Sequence, residues 1–197
     1  MSKSDAILTN ELFYCEHLVL NRDTMNDIDD FRVTIEGGEG LMEYLQNYAF
    51  HDEAHNAQKI YLIRDIFTEK LVGYFGLRAG LISANEHKVK VGNEEITVFN
   101  TVSGIELAEI ALDDDFRNKG YGLIIFHDFI IPIVKMASEY IGCEILYAFS
   151  VDTDGALLRK YINDYNFMRL DPESETKLHE RLRSQFDKGC VFIYQSI

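Results

Sequence analysis

The chain carries a glycine-rich turn whose composition suits the binding of an anion. Residues 117–122, RNKGYG, stand between an acidic stretch and the apolar run LIIFHDFII. A turn of this kind at the start of a helix exposes backbone N–H groups for which the helix has no carbonyl partner. The helix dipole adds about half a positive charge at the same end, and Arg117 and Lys119 add more. The turn is therefore predicted to hold an anion, usually a phosphate.

Two common phosphate-binding motifs do not explain this turn. The P-loop pattern G-x-x-x-x-G-K-[ST] is absent from the chain. The dinucleotide fingerprint needs three glycines, and only Gly120 and Gly122 are present. A tight turn that merely caps an exposed helix remains as the alternative to an anion site.

The stretch IALDDDFRNKGYGLIIF resembles the acyl-CoA signature of the GNAT superfamily of N-acetyltransferases, [RQ]-x-x-G-x-[GA] after a strand. The flanks agree: a second strand, CEILYAFS, follows, then a helix that ends in YNF, and KLVGYFGLRAG resembles the central hairpin of that superfamily. The resemblance covers roughly residues 59–170. It implies an enzyme that uses acetyl-CoA as cosubstrate, and a turn whose amides hold the pyrophosphate of coenzyme A.

The resemblance also implies contacts along the preceding strand. In that superfamily the strand end splays from the next strand, pantetheine lies in the gap, and one backbone N–H polarises the thioester carbonyl. Asp154 stands where many relatives have an asparagine that contacts CoA. The predicted CoA-binding residues are Ile110, Ala111, Leu112, Arg117, Asn118, Lys119, Gly120, Tyr121, Gly122 and Asp154.

Direct transfer of an acetyl group to an amine needs a proton acceptor. Glu106 and Glu109 are three residues apart on the candidate strand, so their side chains point to opposite faces. Counting back from Arg117, Glu106 falls where histone-acetylating relatives carry their basic glutamate. Glu106 is the first candidate and Glu109 the second; a solvated strand charge is the alternative for each.

A proton donor for the leaving thiolate is expected near the end of the helix at 155–165. The superfamily often has a tyrosine five residues before the phenylalanine of a Gly-Phe pair. Here Tyr161 lies six residues before Phe167, and Asn166 replaces the glycine, which is tolerable because asparagine also adopts the left-handed conformation. Tyr161 is the candidate acid, with a packed aromatic as the alternative.

His51 and His55 have the i, i+4 spacing of a zinc pair. The metalloprotease pattern requires glutamate directly after the first histidine, where this chain has Asp52, and no third ligand has suitable spacing. Two solvated histidines, and no bound metal, are the expectation.

The charge balance bears on the acceptor. The chain has 33 acidic and 19 basic residues, a net charge of -14 and a pI of about 4.8. Nonspecific nucleic-acid binding needs lysine and arginine to displace counterions, so nucleic acid is predicted to be an unlikely partner and a cationic amine a better one. Three isolated cysteines, without signal peptide or membrane span, predict a cytoplasmic protein with reduced thiols. A homodimer is possible.

Hydrophobic periodicity predicts the elements that position these residues. Strands are expected at KIYLIRD, KLVGYFGLRAGLIS, IELAEIAL, CEILYAFS and CVFIYQSI. The first two are joined by a turn at 66–70, and residues 84–100 form a polar insertion, with a Gly92-Asn93 turn that suggests a further hairpin. Helices are expected at 24–34 (capped by Thr24), 38–58, 120–141 (kinked at about 128–132 by Pro132, or divided there into two shorter helices), 155–165 and 174–187.

This order predicts an α/β fold of the α+β type, with a central mixed, largely antiparallel sheet flanked by helices. One domain is expected over 1–197, with an N-terminal helical acceptor-side region at 1–58, a CoA-binding core at 59–170 and a C-terminal helix and strand at 171–197. The leading function is acetyl transfer to a primary amine of a small molecule or peptide. A tRNA-acetylating toxin of the same superfamily and a non-catalytic acyl-CoA-binding module are the alternatives.

Overall fold

The structure is a computed structural model that describes residues 6–92, 94–151, 155–181 and 189–197. The strands are β1 Leu8–Thr9, β2 Phe13–His17, β3 Lys59–Asp65, β4 Leu71–Val91, β5 Glu94–Leu112, β6 Ile145–Val151, β7 Met168–Arg169 and β8 Cys190–Ser196. The helices are α1 Arg22–Asp30, α2 Glu39–Asn47, α3 Ala49–Ala54, α4 Tyr121–Ile125, α5 Ile131–Ile141, α6 Ala156–Asp164 and α7 Pro172–Arg181. The chain divides into two compact units, Met1–Arg78 with Leu107–Ile133 and Ala79–Glu106 with Val134–Ile197.

The first unit is built on an antiparallel meander. Strand β1 pairs with β2, β2 with β3 and β3 with β4, each antiparallel. Helices α1 to α3 supply apolar side chains that pack with those of the strands. The buried members of this core are Leu18, Ile28, Phe31, Val33, Leu45, Ala49, Ile60, Leu62, Leu71, Tyr74 and Ala111.

The second unit contains the parallel pairing of the sheet. Residues Gly104–Glu106 of β5 pair with Ile145–Tyr147 of β6, and among the described residues this pairing ends there. Strand β8 is antiparallel to both β6 and β7. The predicted class, a mixed and largely antiparallel sheet with flanking helices, is confirmed.

The N-terminal region, for which only helices were expected, also contains strands β1 and β2. Strand β2 pairs with β3, with Phe13 opposite Asp65 and Glu16 opposite Leu62. Four successive residues, 13–16, are buried, so the strand lacks the polar alternation by which a half-buried strand is recognised. Helix α1 begins earlier than expected, because Asn21 rather than Thr24 is its N-cap and accepts a bond from the Thr24 amide at 2.9 Å.

The polar insertion is a hairpin, as the turn at Gly92 suggested. Strands β4 and β5 run out to Val91 and back from Glu94. Gly92 has a φ of 65°, the left-handed conformation that a tight turn requires. Asn93 lies outside the described residues.

The long helix is continuous rather than broken at Pro132. A π-helical turn, Phe126–Ile130, joins α4 to α5, and the Ile131 amide donates to the Phe126 carbonyl. This wider turn accommodates the proline, which has no N–H to donate.

By length and composition alone, one helix among the described residues, Tyr121–Ile141, could cross a membrane, with a mean hydropathy of 1.4. A core helix of a soluble protein satisfies the same criterion, and Phe126, Phe129 and Ile130 of this helix are fully buried. This helix is therefore only weak evidence for a membrane protein. The cytoplasmic location stays a prediction.

Candidate functional site

The predicted anion turn opens a helix and leaves its amides exposed. Asn118 and Gly120 have φ angles of 60° and 79°, so two left-handed residues flank Lys119. After Arg117, the first amide that donates to a backbone carbonyl is that of Leu123, to Gly120 O at 3.2 Å. Within the described part of the chain, the amides of residues 118–122 therefore have no backbone acceptor. They are available to an anion.

The backbone conformation of Gly120, rather than packing, explains why a glycine stands there. A Cβ built on this residue meets no atom within 4 Å. A side chain would nevertheless be strained, because L-residues rarely adopt a φ of this sign. The space beside Gly120 is thus open to a ligand that approaches the backbone closely.

The acidic residues before the turn brace it against a neighbouring segment. Asp113 Oδ2 accepts from the Arg32 amide at 2.9 Å, and an Asp114 oxygen accepts from the Thr34 amide at 3.1 Å. The hydrogen bonds with Thr34, and then the one with Arg117, hold the pKa of Asp114 below its usual value. The hydrogen bonds of these two carboxylates therefore hold the turn against residues 32–34.

The charged side chains of Arg117 and Lys119 contact the acidic residues that precede the turn. Arg117 Nη1 lies 3.1 Å from Asp114 Oδ1. Lys119 Nζ donates to the Asp115 carbonyl at 2.6 Å and lies 5.5 Å from the centre of the Phe116 ring. The charge of Arg117 is thus largely matched by its partner, and the exposed amides are the main feature that an anion would meet.

The strand that leads into the turn is held closely on one side. A Cβ on Gly73 would collide with the carbonyl of Ala111, so β4 approaches the end of β5 there at a distance that glycine alone permits. The Asp113 amide donates to Val72 O at 2.9 Å. Ala111 is buried, whereas Ile110 and Leu112 are partly exposed. The strand end is therefore fixed beside the turn.

Glu109 is the candidate base that shares the first unit with the anion turn. Its side chain is half-buried, and Oε2 accepts a hydrogen bond from Nε2 of Gln58, a residue only 3% exposed. A Cβ on Gly76 would collide with the Gln58 amide and would lie 2.5 Å from Glu109 Oε2. The pair thus occupies space that a glycine leaves free.

Two tyrosines border the Glu109 carboxylate. The rings of Tyr44 and Tyr74 are stacked with their centres 6.5 Å apart. Burial, and next the charge of Glu109, raises the pKa of both phenols. Tyr44 donates to Asp52 Oδ2 at 2.9 Å and Tyr74 to Leu41 O at 2.6 Å. The Tyr44 phenol thus lies within the electrostatic range of two carboxylates, Glu109 and Asp52, and of one cation, Arg78.

Glu106, the other candidate base, lies in the second unit. It is 6% exposed, and Tyr147 donates to its Oε2 at 3.2 Å. Gly80 and Gly104 make room for the tyrosine ring, since a Cβ on Gly104 would lie 2.9 Å from Tyr147 Cδ1 and one on Gly80 would collide with the hydroxyl. Sequence reasoning missed Tyr147, for which only these glycines were a signal.

Tyr161, the candidate acid, is packed inside the second unit. It is 7% exposed, and its ring centre lies 5.5 Å from those of Tyr165 and Phe167. Burial raises the pKa of its phenol. Asn166 has a φ of 60°, the left-handed conformation that was expected of it. Asp154 lies outside the described residues.

His51 and His55 lie near the end of α3, and each ring contacts atoms of the same segment. The two rings are 4.2 Å apart. His51 Nδ1 lies 3.3 Å from Asp52 Oδ1, and His55 Nδ1 lies 2.8 Å from His51 O. Among the described residues, three histidine, cysteine, aspartate or glutamate side chains nowhere form a group that could hold a metal ion.

Comparison with known proteins shows the fold. No protein-family model matches the chain. A tyrosine-to-phenylalanine mutant of the AtaT toxin superposes with a TM-score of 0.62 at 15% identity, over 93% of this chain and 89% of that one. AtaTR bound with AcCoA gives 0.62 at 16% over 95% and 94%. AtaT complexed with acetyl-methionyl-tRNAfMet gives 0.60 at 15% over 91% and 93%. The chain thus has the fold of these toxins.

Proposed function

We propose that this protein is an acetyl-CoA-dependent N-acetyltransferase. The observation that carries the proposal is the turn at 118–122, whose amides stand at the start of a helix and have no backbone acceptor among the described residues. It occurs in the fold of AtaTR, which has been solved with AcCoA bound. The amides of this turn would bind the pyrophosphate, and the backbone of Ile110 and Leu112 would bind the pantetheine arm.

The reaction requires one proton to leave the acceptor and one to reach the thiolate. The neutral amine attacks the thioester carbonyl, a C–N bond forms and the C–S bond breaks. We assign the proton acceptor to Glu109, because its carboxylate is half-buried whereas Glu106 is only 6% exposed, and because Glu109 shares the first unit with the turn. Glu106 remains the alternative base, and Tyr161, whose phenol has a proton to donate, remains the candidate acid.

For the acceptor we propose an aminoacyl-tRNA. A neighbour of the same fold, AtaT, is solved with an acetylated methionyl-tRNA, which favours this acceptor over the small amine or peptide that the sequence suggested. The expectation that nucleic acid is not a partner rested on a net charge of -14. That charge is a sum over the whole chain, whereas screening limits repulsion to a range of about 8 Å at physiological salt. It therefore bears little on one local RNA-binding surface.

Acetyl transfer from radiolabelled acetyl-CoA tests both the proposed activity and the proposed acceptor. Methionyl-tRNA is compared with deacylated tRNA, which lacks the amine, and with a polyamine and an aminoglycoside as small cationic acceptors. We expect label in the aminoacyl group of methionyl-tRNA alone. Label only in the small amines would overturn the acceptor but keep the activity. CoA binding with no transfer to any of them would indicate a non-catalytic module.

A further inference from the structure

The side chain of Gln58 has a role that the sequence gives no sign of. It follows α3 and is nearly inaccessible, at 3% exposure. A buried side-chain amide needs partners for its N–H groups, and one of these donates to Glu109 Oε2, 51 residues away in the chain. The contact joins the start of β3 to the strand that carries the proposed base.

We propose that Gln58 is a positioning residue for the Glu109 carboxylate. The inference rests on the proposed role of Glu109 as proton acceptor. Gln58 fixes one carboxylate oxygen and thereby the orientation of the other. It also stabilises the charged form, because a hydrogen bond donated to a carboxylate lowers its pKa. Loss of this donor is therefore expected to favour the protonated carboxyl, which cannot accept a proton.

Gly76 supports this assignment independently. A Cβ at this position would collide with the Gln58 amide and approach Glu109 Oε2 to 2.5 Å. Gly76 does not have a positive φ, so no unusual backbone conformation explains the glycine there. The space is instead filled by the two contacting side chains. Gln58, Gly76 and Glu109, which come from three segments of the first unit, therefore pack together.

The test uses NMR of the protein without substrate. The Glu109 carboxyl is followed by ¹³C titration, assigned with Glu109→Gln, in wild type, Gln58→Met and Gln58→Glu. Methionine matches the length of glutamine but has no donor, so we expect the Glu109 pKa to rise by about one unit. Glutamate also lacks the donor and should raise it further through like-charge repulsion. Gln46→Leu is the matched control, because Gln46 Nε2 donates to the Ile28 carbonyl instead.

A wild-type measurement makes the test independent of whether the variants fold. The side-chain N–H resonances of Gln58 should shift with the ionisation of Glu109 and lose that shift in Glu109→Gln. In the acetyl-transfer assay, the acidic limb of kcat/KM should move upward by about one pH unit in Gln58→Met, with unchanged KM for acetyl-CoA.

The outcomes separate this inference from the proposed function. An unchanged Glu109 pKa in folded Gln58 variants, or Gln58 resonances that ignore the Glu109 titration, would overturn the inference whatever the activity. The expected pKa shift in a protein that acetylates no acceptor would instead overturn the proposed function and leave the contact established.

Discussion

Replacement of Gly120 by valine separates binding of CoA from backbone strain. Gly120 has a φ of 79°, and Gly37 in the same unit has a φ of 78°. A Cβ on either residue meets no atom within 4 Å. The two positions therefore impose similar strain on a side chain, but only Gly120 belongs to the turn that is proposed to hold the pyrophosphate.

The expected magnitudes follow from this comparison. An L-residue in the left-handed region costs about 1–2 kcal/mol, which for a chain of this length lowers Tm by roughly 2–8 °C. Both Gly120→Val and Gly37→Val should show such a loss. In Gly120→Val alone, a branched side chain would stand where the phosphate must approach, so the affinity for CoA should fall about tenfold or more, at least about 1.4 kcal/mol.

Calorimetric titration of CoA into the two folded variants, with Tm measured in parallel, checks the prediction. Gly37→Val should bind CoA as the wild type does. Wild-type affinity in folded Gly120→Val would refute the assignment of the turn. An equal loss in both variants would show that strain, rather than contact with the ligand, had been measured.

Three further predictions concern the remaining residues of the site. Glu109→Gln should lower kcat about a hundredfold or more, as expected for loss of a general base, with CoA affinity kept, and Glu106→Gln should have the smaller effect; single-turnover rates that reverse this order would move the base to Glu106. Tyr161→Phe should lower kcat by roughly tenfold or more with little change in Tm, and a normal rate would make Tyr161 a packing residue only. Asp114 has a folded-state pKa below its unfolded value, so its contribution to stability is complete above about pH 4 and lost as pH falls through the folded-state pKa. The Tm difference between wild type and Asp114→Asn should accordingly be present at pH 7 and shrink in acid, and a difference that is constant with pH would contradict the role of its bonds to Thr34.

Local sequence was sufficient for the elements whose signals lie within one segment. The strand, the acidic turn and the helix from 121 to 141 follow from two glycines that separate an apolar strand from an apolar helix. The left-handed conformation of Gly120 at the helix start was found in the structure. The hairpin of β4 and β5 follows from a glycine turn between alternating residues. Such features depend on backbone sterics and on contacts between neighbours in the chain, so the sequence specifies them directly.

Strand β2 could not be recognised in this way. Its residues 13–16 are all buried, since the sheet is covered on both faces there, and a run without alternation carries no periodic signal. A buried ion pair reveals the same dependence on the fold: Arg64 Nε lies 2.5 Å from Glu16 Oε1. Arg64 Nη1 also lies 2.6 Å from Asp27 Oδ2 of α1. These charges are tolerable in the core because separate segments bring them together.

For the candidate site, the sequence by itself determined the glycine-rich turn, the strand that precedes it and the two glutamates three residues apart on that strand. Only the tertiary structure decided what surrounds those glutamates. Gln58 donates a hydrogen bond to Glu109 and Tyr147 donates one to Glu106, from segments 51 and 41 residues away. The tertiary structure also buried Tyr161 among aromatic rings. Spacing along a chain specifies which face of a strand a side chain occupies, whereas its hydrogen-bond partners and its burial depend on which distant segments the fold packs against that face.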